Sequence, residues 1–150
     1  MMFRRFKMIM FSLVILLCFT NMTCDSDGEI IEEATSCDFK TIVDRTVFHD
    51  LESDNFNFVD AQITGDCLSI TFGASGCNGE SWAFKLVDSE AVTKSIPGQR
   101  SLKFQLENKE LCEAYFEKTV SFDLTPLQLP GDHEVLLNIQ GLSKSLSYKY

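Results

Sequence analysis

Period-two alternation of apolar and polar residues recurs along the chain after Cys37, and it constrains the fold more than any other feature. Leu68, Ile70 and Phe72 alternate with Cys67, Ser69 and Thr71, and Trp82, Phe84 and Leu86 alternate with Ser81, Ala83 and Lys85. The pattern returns at Leu102, Phe104 and Leu106, at Val120, Phe122 and Leu124, at Val135, Leu137 and Ile139, and at Leu146, Tyr148 and Tyr150. Successive side chains of a strand point to opposite faces, so each run gives one face to a core and one to water. Turn-forming residues separate the runs at Gly73–Gly79, Pro97-Gly98, Pro126 through Gly131 and Gly141. Short strands so spaced predict an all-β, antiparallel β-sandwich, immunoglobulin-like or a related Greek key.

Two stretches depart from the alternation. Phe56 and Phe58 face one way, whereas Val59, Ala61 and Ile63 face the other, so the parity changes near Phe58 and a bulge is expected there. Between Asn108 and Lys118, Leu111 with Tyr115 and Cys112 with Phe116 stand four apart behind a possible Asn108 cap, which predicts one short crossover helix.

The chain carries six cysteines, Cys18, Cys24, Cys37, Cys67, Cys77 and Cys112. Their meaning depends on the N-terminus. Arg4, Arg5 and Lys7 precede an uncharged apolar run from Met8 to Phe19. This run is short against the ~20 residues that cross a bilayer core, and reads as a secretory signal over residues 1–23. A single spanning anchor is the competing reading, and both take the folded part out of the cytoplasm.

A cysteine directly after such a run, here Asn21-Met22-Thr23-Cys24, resembles a bacterial lipoprotein signal in which the cysteine is acylated. Asn21 stands where such signals carry Leu, and Thr23 where they carry a smaller residue. The acidic Asp25-Ser26-Asp27-Gly28-Glu29 stretch is similar to the tract that directs Bacteroidota lipoproteins to the cell surface. The resemblance implies lipidation at Cys24, a spacer over residues 24–36, a membrane partner through the lipid, and an outer-membrane or cell-surface address. Acyl chains contribute ~0.8 kcal/mol per buried CH₂, so several anchor stably.

With Cys18 lost and Cys24 acylated, Cys37, Cys67, Cys77 and Cys112 remain, an even set suited to two disulfides in an exported domain over residues 37–150. Zinc ligation is disfavoured because the set contains no C-x₂₋₄-C pair. Cys67 on a polar strand face can meet the arm bearing Cys37, and Cys77 in its glycine-rich loop can meet Cys112. The expected pairing is therefore 37–67 and 77–112.

Composition narrows function. Lys and Arg number 13 against 22 Asp and Glu, a net charge of −9, so no basic surplus exists to displace counterions from nucleic acid. The loop Gly73-Ala74-Ser75-Gly76-Cys77-Asn78-Gly79 has Cys77 where a nucleophile elbow needs glycine, and it lacks the Gly-Lys-Ser/Thr of a P-loop. Together with Ser81-Trp82 it resembles a loop of small Bacteroidota envelope proteins, a likeness that implies no activity. His49 beside Asp50, and Asp132-His133-Glu134, lack a nucleophile or ligand context. Asp25-Ser26-Asp27-Gly28 lacks the third ligand of an EF-hand loop.

The expectation is a non-catalytic, lipid-anchored envelope protein without cofactor or metal, acting as a binding or structural accessory toward a protein or glycan. Two alternatives stand beside it: a small secreted hydrolase or enzyme inhibitor using the Gly73–Gly79 loop, and a calcium-dependent adhesin-like module. Trp82 is expected to face the core.

Overall fold

The computed structural model describes residues 37–150. The expectations for residues 1–36, namely the signal, acylation of Cys24, the acidic spacer and the Asp25–Gly28 calcium test, lie outside the described residues. The described chain is a β-sandwich. Its strands are β1 (Phe39–Lys40), β2 (Ile42–Val43), β3 (Asn57–Thr64), β4 (Cys67–Gly76), β5 (Ala83–Val92), β6 (Gly98–Glu107), β7 (Ala114–Asp123), β8 (Glu134–Ile139) and β9 (Leu146–Lys149). One sheet has the order β1-β7-β4-β3, the other β2-β5-β6-β8-β9.

The sheets are mixed where an antiparallel sandwich was expected. β1 with β7, β2 with β5 and β6 with β8 run parallel. The reason is connectivity. β6 crosses to the opposite sheet as β7, and the chain returns through a 3₁₀ turn at Thr125–Leu127 to lay β8 beside β6 in the same direction. The arm Phe39–Val43 is likewise shared, with two residues given to each sheet.

The helix also lies elsewhere than expected. Residues 108–113 form no helix, and from Ala114 the chain is β7, whose register against β4 runs unbroken from Ala114 to Asp123. The i, i+4 pairs that suggested a helix coexist with an inward set of Phe116, Lys118, Val120 and Phe122, and the charge of Lys118 disguised that set. An inward lysine near a sheet edge also discourages edge-to-edge pairing. The helix is instead α1 (Arg45–Asp50), started by Asp44, whose carboxylate accepts from the amides of Thr46 and Val47 at 2.8 and 2.9 Å. Against it lies Lys103, its ammonium 2.8 Å from the Phe48 carbonyl and 4.7 Å from the Phe48 ring centre.

Between Phe58 and Asp60 the register of β3 shifts, which is the expected bulge. Val59 is the extra residue and is half exposed, whereas Ala61 faces the core. Leu68, Ile70 and Phe72 from one sheet, Leu86, Leu102 and Leu106 from the other, and Trp82 just before β5 are buried in a single core. Phe72 is its aromatic hub, 5.9 Å from Trp82, 5.6 Å from Phe84 and 5.1 Å from Phe104.

Candidate functional site

The Gly73–Gly79 segment is half strand and half turn. β4 continues through Gly76, and the chain then reverses over Cys77–Ser81 to enter β5. Two glycines are required here. A Cβ on Gly76 would collide with both Glu110 and the Trp82 ring, and Gly79 has φ +69°, the left-handed region that favours glycine.

The turn is closed around a carboxylate. Glu110 accepts from the amides of Cys77 at 2.5 Å, Asn78 at 3.1 Å and Gly79 at 3.1 Å, and from the Ser81 hydroxyl at 2.9 Å. Successive amides aimed at one point make an anion-binding concavity. Partial desolvation pushes the Glu110 carboxyl up, but the bonds from Gly79, Cys77, Ser81 and Asn78 outweigh it and bring its pKa down to about 2.

The segment that supplies Glu110 is tied down on every side. Asn108 donates from its side-chain amide to the Ser75 carbonyl at 2.8 Å, and its side-chain oxygen accepts the Glu110 amide at 2.9 Å. The Asn108 amide donates to Asp54 at 2.7 Å. Asn108 is thus an Asx turn, not a helix cap. Cys112 is bonded to Cys77, and Cys37 to Cys67. Between the fixed residues Glu110 and Cys112, Leu111 is 96% exposed.

Beneath the turn the indole of Trp82 stacks on Phe116, centroids 4.8 Å apart with planes 6° from parallel. Trp82 is buried, as expected, and its Nε1 has no hydrogen-bond partner. Lys118 donates to the Gly79 carbonyl at 2.8 Å, joining β7 to the same turn.

The other end of the sandwich takes its polar groups inside. Asp88 and Arg100 form a buried ion pair at 2.7 Å, and Arg100 also donates from Nε to the Leu127 carbonyl at 3.0 Å. Burial raises the pKa of Asp88, an effect that Arg100 only partly offsets. Tyr148 donates to Asp66 at 2.6 Å and accepts from Gln128 at 2.9 Å, and burial with the Asp66 bond holds its phenol well above the usual range.

The remaining candidate residues stay apart from this turn. His49 lies on α1, and Asp132 and His133 are exposed before β8. Among the described residues no group of three or more His, Cys, Asp or Glu converges. Two grooves share Gln140: one of about 310 Å³ beside Ser53, Phe56 and Lys103, the other of about 460 Å³ beside Phe48, Ser101 and Asn138. Glu110 and Leu111, the residues that define the turn's chemistry and its tip, were not singled out by the sequence. An acid and a leucine before a half-cystine carry no recognisable spacing signal.

The sequence matches no protein-family model and no curated protein. Its fold is similar to those of solved structures. A Bacteroides vulgatus protein of unknown function aligns at TM-score 0.50 and 14% identity, over 75% of this chain and 55% of that one. A NigD-like immunity protein from Bacteroides caccae aligns at TM-score 0.53 and 12% identity, over 74% of this chain and 64% of that one. This chain therefore spans less than two thirds of the length of either, and the likeness is one of fold.

Proposed function

We propose that the chain is a non-catalytic, lipid-anchored cell-envelope domain that acts by binding. One observation carries the reading. The amide donors of the Cys77–Gly79 turn, which a hydrolase would aim at a developing oxyanion, are engaged by the protein's own Glu110. A turn filled this way is a structural fitting, and what it holds outward is a side chain. The fold likeness to a protein described as a NigD-like immunity protein is in keeping with an accessory role of this kind. The acidic exit after Cys24 supports the anchor.

The test has two arms. Full-length protein, and its Glu110→Ala variant with the turn vacated, are assayed on chromogenic ester and peptide substrates, with no turnover above buffer expected from either. Turnover by the natural protein that Ser75→Ala or Ser81→Ala abolishes would overturn the non-catalytic reading. Mass spectrometry of mature protein from membranes should find an acylated N-terminal Cys24, and an unlipidated N-terminus elsewhere overturns the anchor.

A further inference from the structure

We infer that the Asn108–Cys112 loop is a preformed ligand for the substrate cleft of a secreted endopeptidase with an apolar primary pocket, and that Leu111 fills that pocket. The inference rests on the reading of the chain as a binding domain and names the class of its partner. A lone exposed leucine is ordinary on a protein surface. Its mounting is not.

Leu111 is 96% exposed, yet both neighbours are fixed to one and the same turn: Glu110 by four donors from Cys77 to Ser81, and Cys112 by its bond to Cys77. An apolar side chain held out on an immobilised backbone loses little freedom on binding, which is the condition for a tight anchor. After the Asx turn at Asn108 the backbone from Leu111 to Glu113 belongs to no helix or turn. A segment whose backbone is not already folded into a helix is what a cleft that binds peptides by strand addition accepts. The neighbours of Leu111 carry no cation, and Lys109, two residues before it, turns to Glu107 at 2.6 Å. An apolar pocket, not an acidic one, is therefore the fit.

The same mounting explains how such a loop would inhibit. Attack by the enzyme's nucleophile on the Leu111 carbonyl breaks the Leu111–Cys112 peptide bond, leaving Leu111 as an acyl group on the enzyme and Cys112 with a free amine. Cys112 stays tethered to Cys77, and Glu110 stays in the turn. The amine is thus held near the acyl carbon at high effective concentration and re-forms the bond in competition with hydrolysis by water. The loop behaves as a substrate that the enzyme releases intact.

The test measures inhibition of chymotrypsin and subtilisin by the purified full-length chain, with trypsin as the acidic-pocket control. Competitive inhibition of the two apolar-pocket enzymes is expected, weakened about tenfold or more by Leu111→Asp, with trypsin untouched. Leu111→Lys should lose the first two enzymes and acquire trypsin, a gain that a misfolded variant cannot show. Undiminished activity of both apolar-pocket enzymes overturns the inference, as does rapid cleavage after Leu111 or inhibition indifferent to Leu111→Asp. None of these failures touches the acylation of Cys24 or the absence of turnover, so the broader reading stands or falls separately.

Discussion

Asp88 and Arg100 are sealed inside one end of the sandwich, whereas at the other end the Glu110 carboxylate sits at the rim above stacked aromatic rings. Each end also carries a disulfide, closing sequence separations of 30 and 35 residues. The two carboxylates have opposite pKa shifts because water and donors reach them differently. Asp88 loses solvent and gains one buried guanidinium, so its proton is held more tightly; Glu110 keeps access to solvent and gains four donors, so its proton is released more readily. Buried charge makes one end specific and fragile, while a ring of neutral donors makes the other a rigid platform.

Arg100→Met should be among the most damaging changes, since it strands a buried carboxylate at a cost of about 3–5 kcal/mol. Adding Asp88→Leu should recover most of that loss, because two apolar groups need no partner. Chemical denaturation of the single and double variants measures both. If the double variant is no better than the single, the pair is not the reason for the loss.

At the opposite end Trp82→Ala should cost a comparable ~3–5 kcal/mol by leaving a cavity against Phe72 and Phe116. Trp82 is the sole tryptophan, so native emission should be blue-shifted and move red on unfolding. Water-like emission in the folded protein would contradict its place in the core. Slightly smaller is the loss expected for Cys77→Ser with Cys112→Ser, roughly 3–4 kcal/mol from loop-closure entropy.

The acid limb of the stability curve separates the two carboxylates. Glu110 has a depressed folded pKa, so its contribution is present above the ordinary value of 4.5 and is lost as pH falls toward about 2. Asp88 has a raised folded pKa, so its contribution is full below 3.8 and is lost as pH rises through the raised value. Glu110→Gln should flatten the first slope and leave the second, and Asp88→Asn should do the reverse. Denaturation midpoints between pH 2 and pH 6 check both. The smallest effect belongs to Lys109→Ala, which removes only an exposed pair with Glu107 and should leave the melting temperature unchanged.

What the sequence disclosed, and what it did not, follows the range of each interaction. Alternation placed the strands, the parity change put a bulge near Phe58, and Trp82 was assigned to the correct face, because these depend on neighbours two residues apart. The parallel pairings were hidden, since they arise from a crossover through the opposite sheet. α1 was missed because its signal is the Asp44 cap on a six-residue helix with no buried face. The expected helix after Asn108 failed where the long-range register of β7 against β4 overrode local i, i+4 pairs. Glu110 was invisible for a related reason: its donors come from residues about thirty positions earlier.

Glu110 holds the amides of the Cys77–Gly79 turn, and this is what presents Leu111 rigidly. Carboxyl-detected NMR titration of Glu110 in the folded protein tests this most directly. A midpoint at about 2 is the predicted result. A midpoint near the ordinary 4.5 would mean that the amides of Cys77, Asn78 and Gly79 do not hold this carboxylate, and the rigid platform beneath Leu111 would be contradicted.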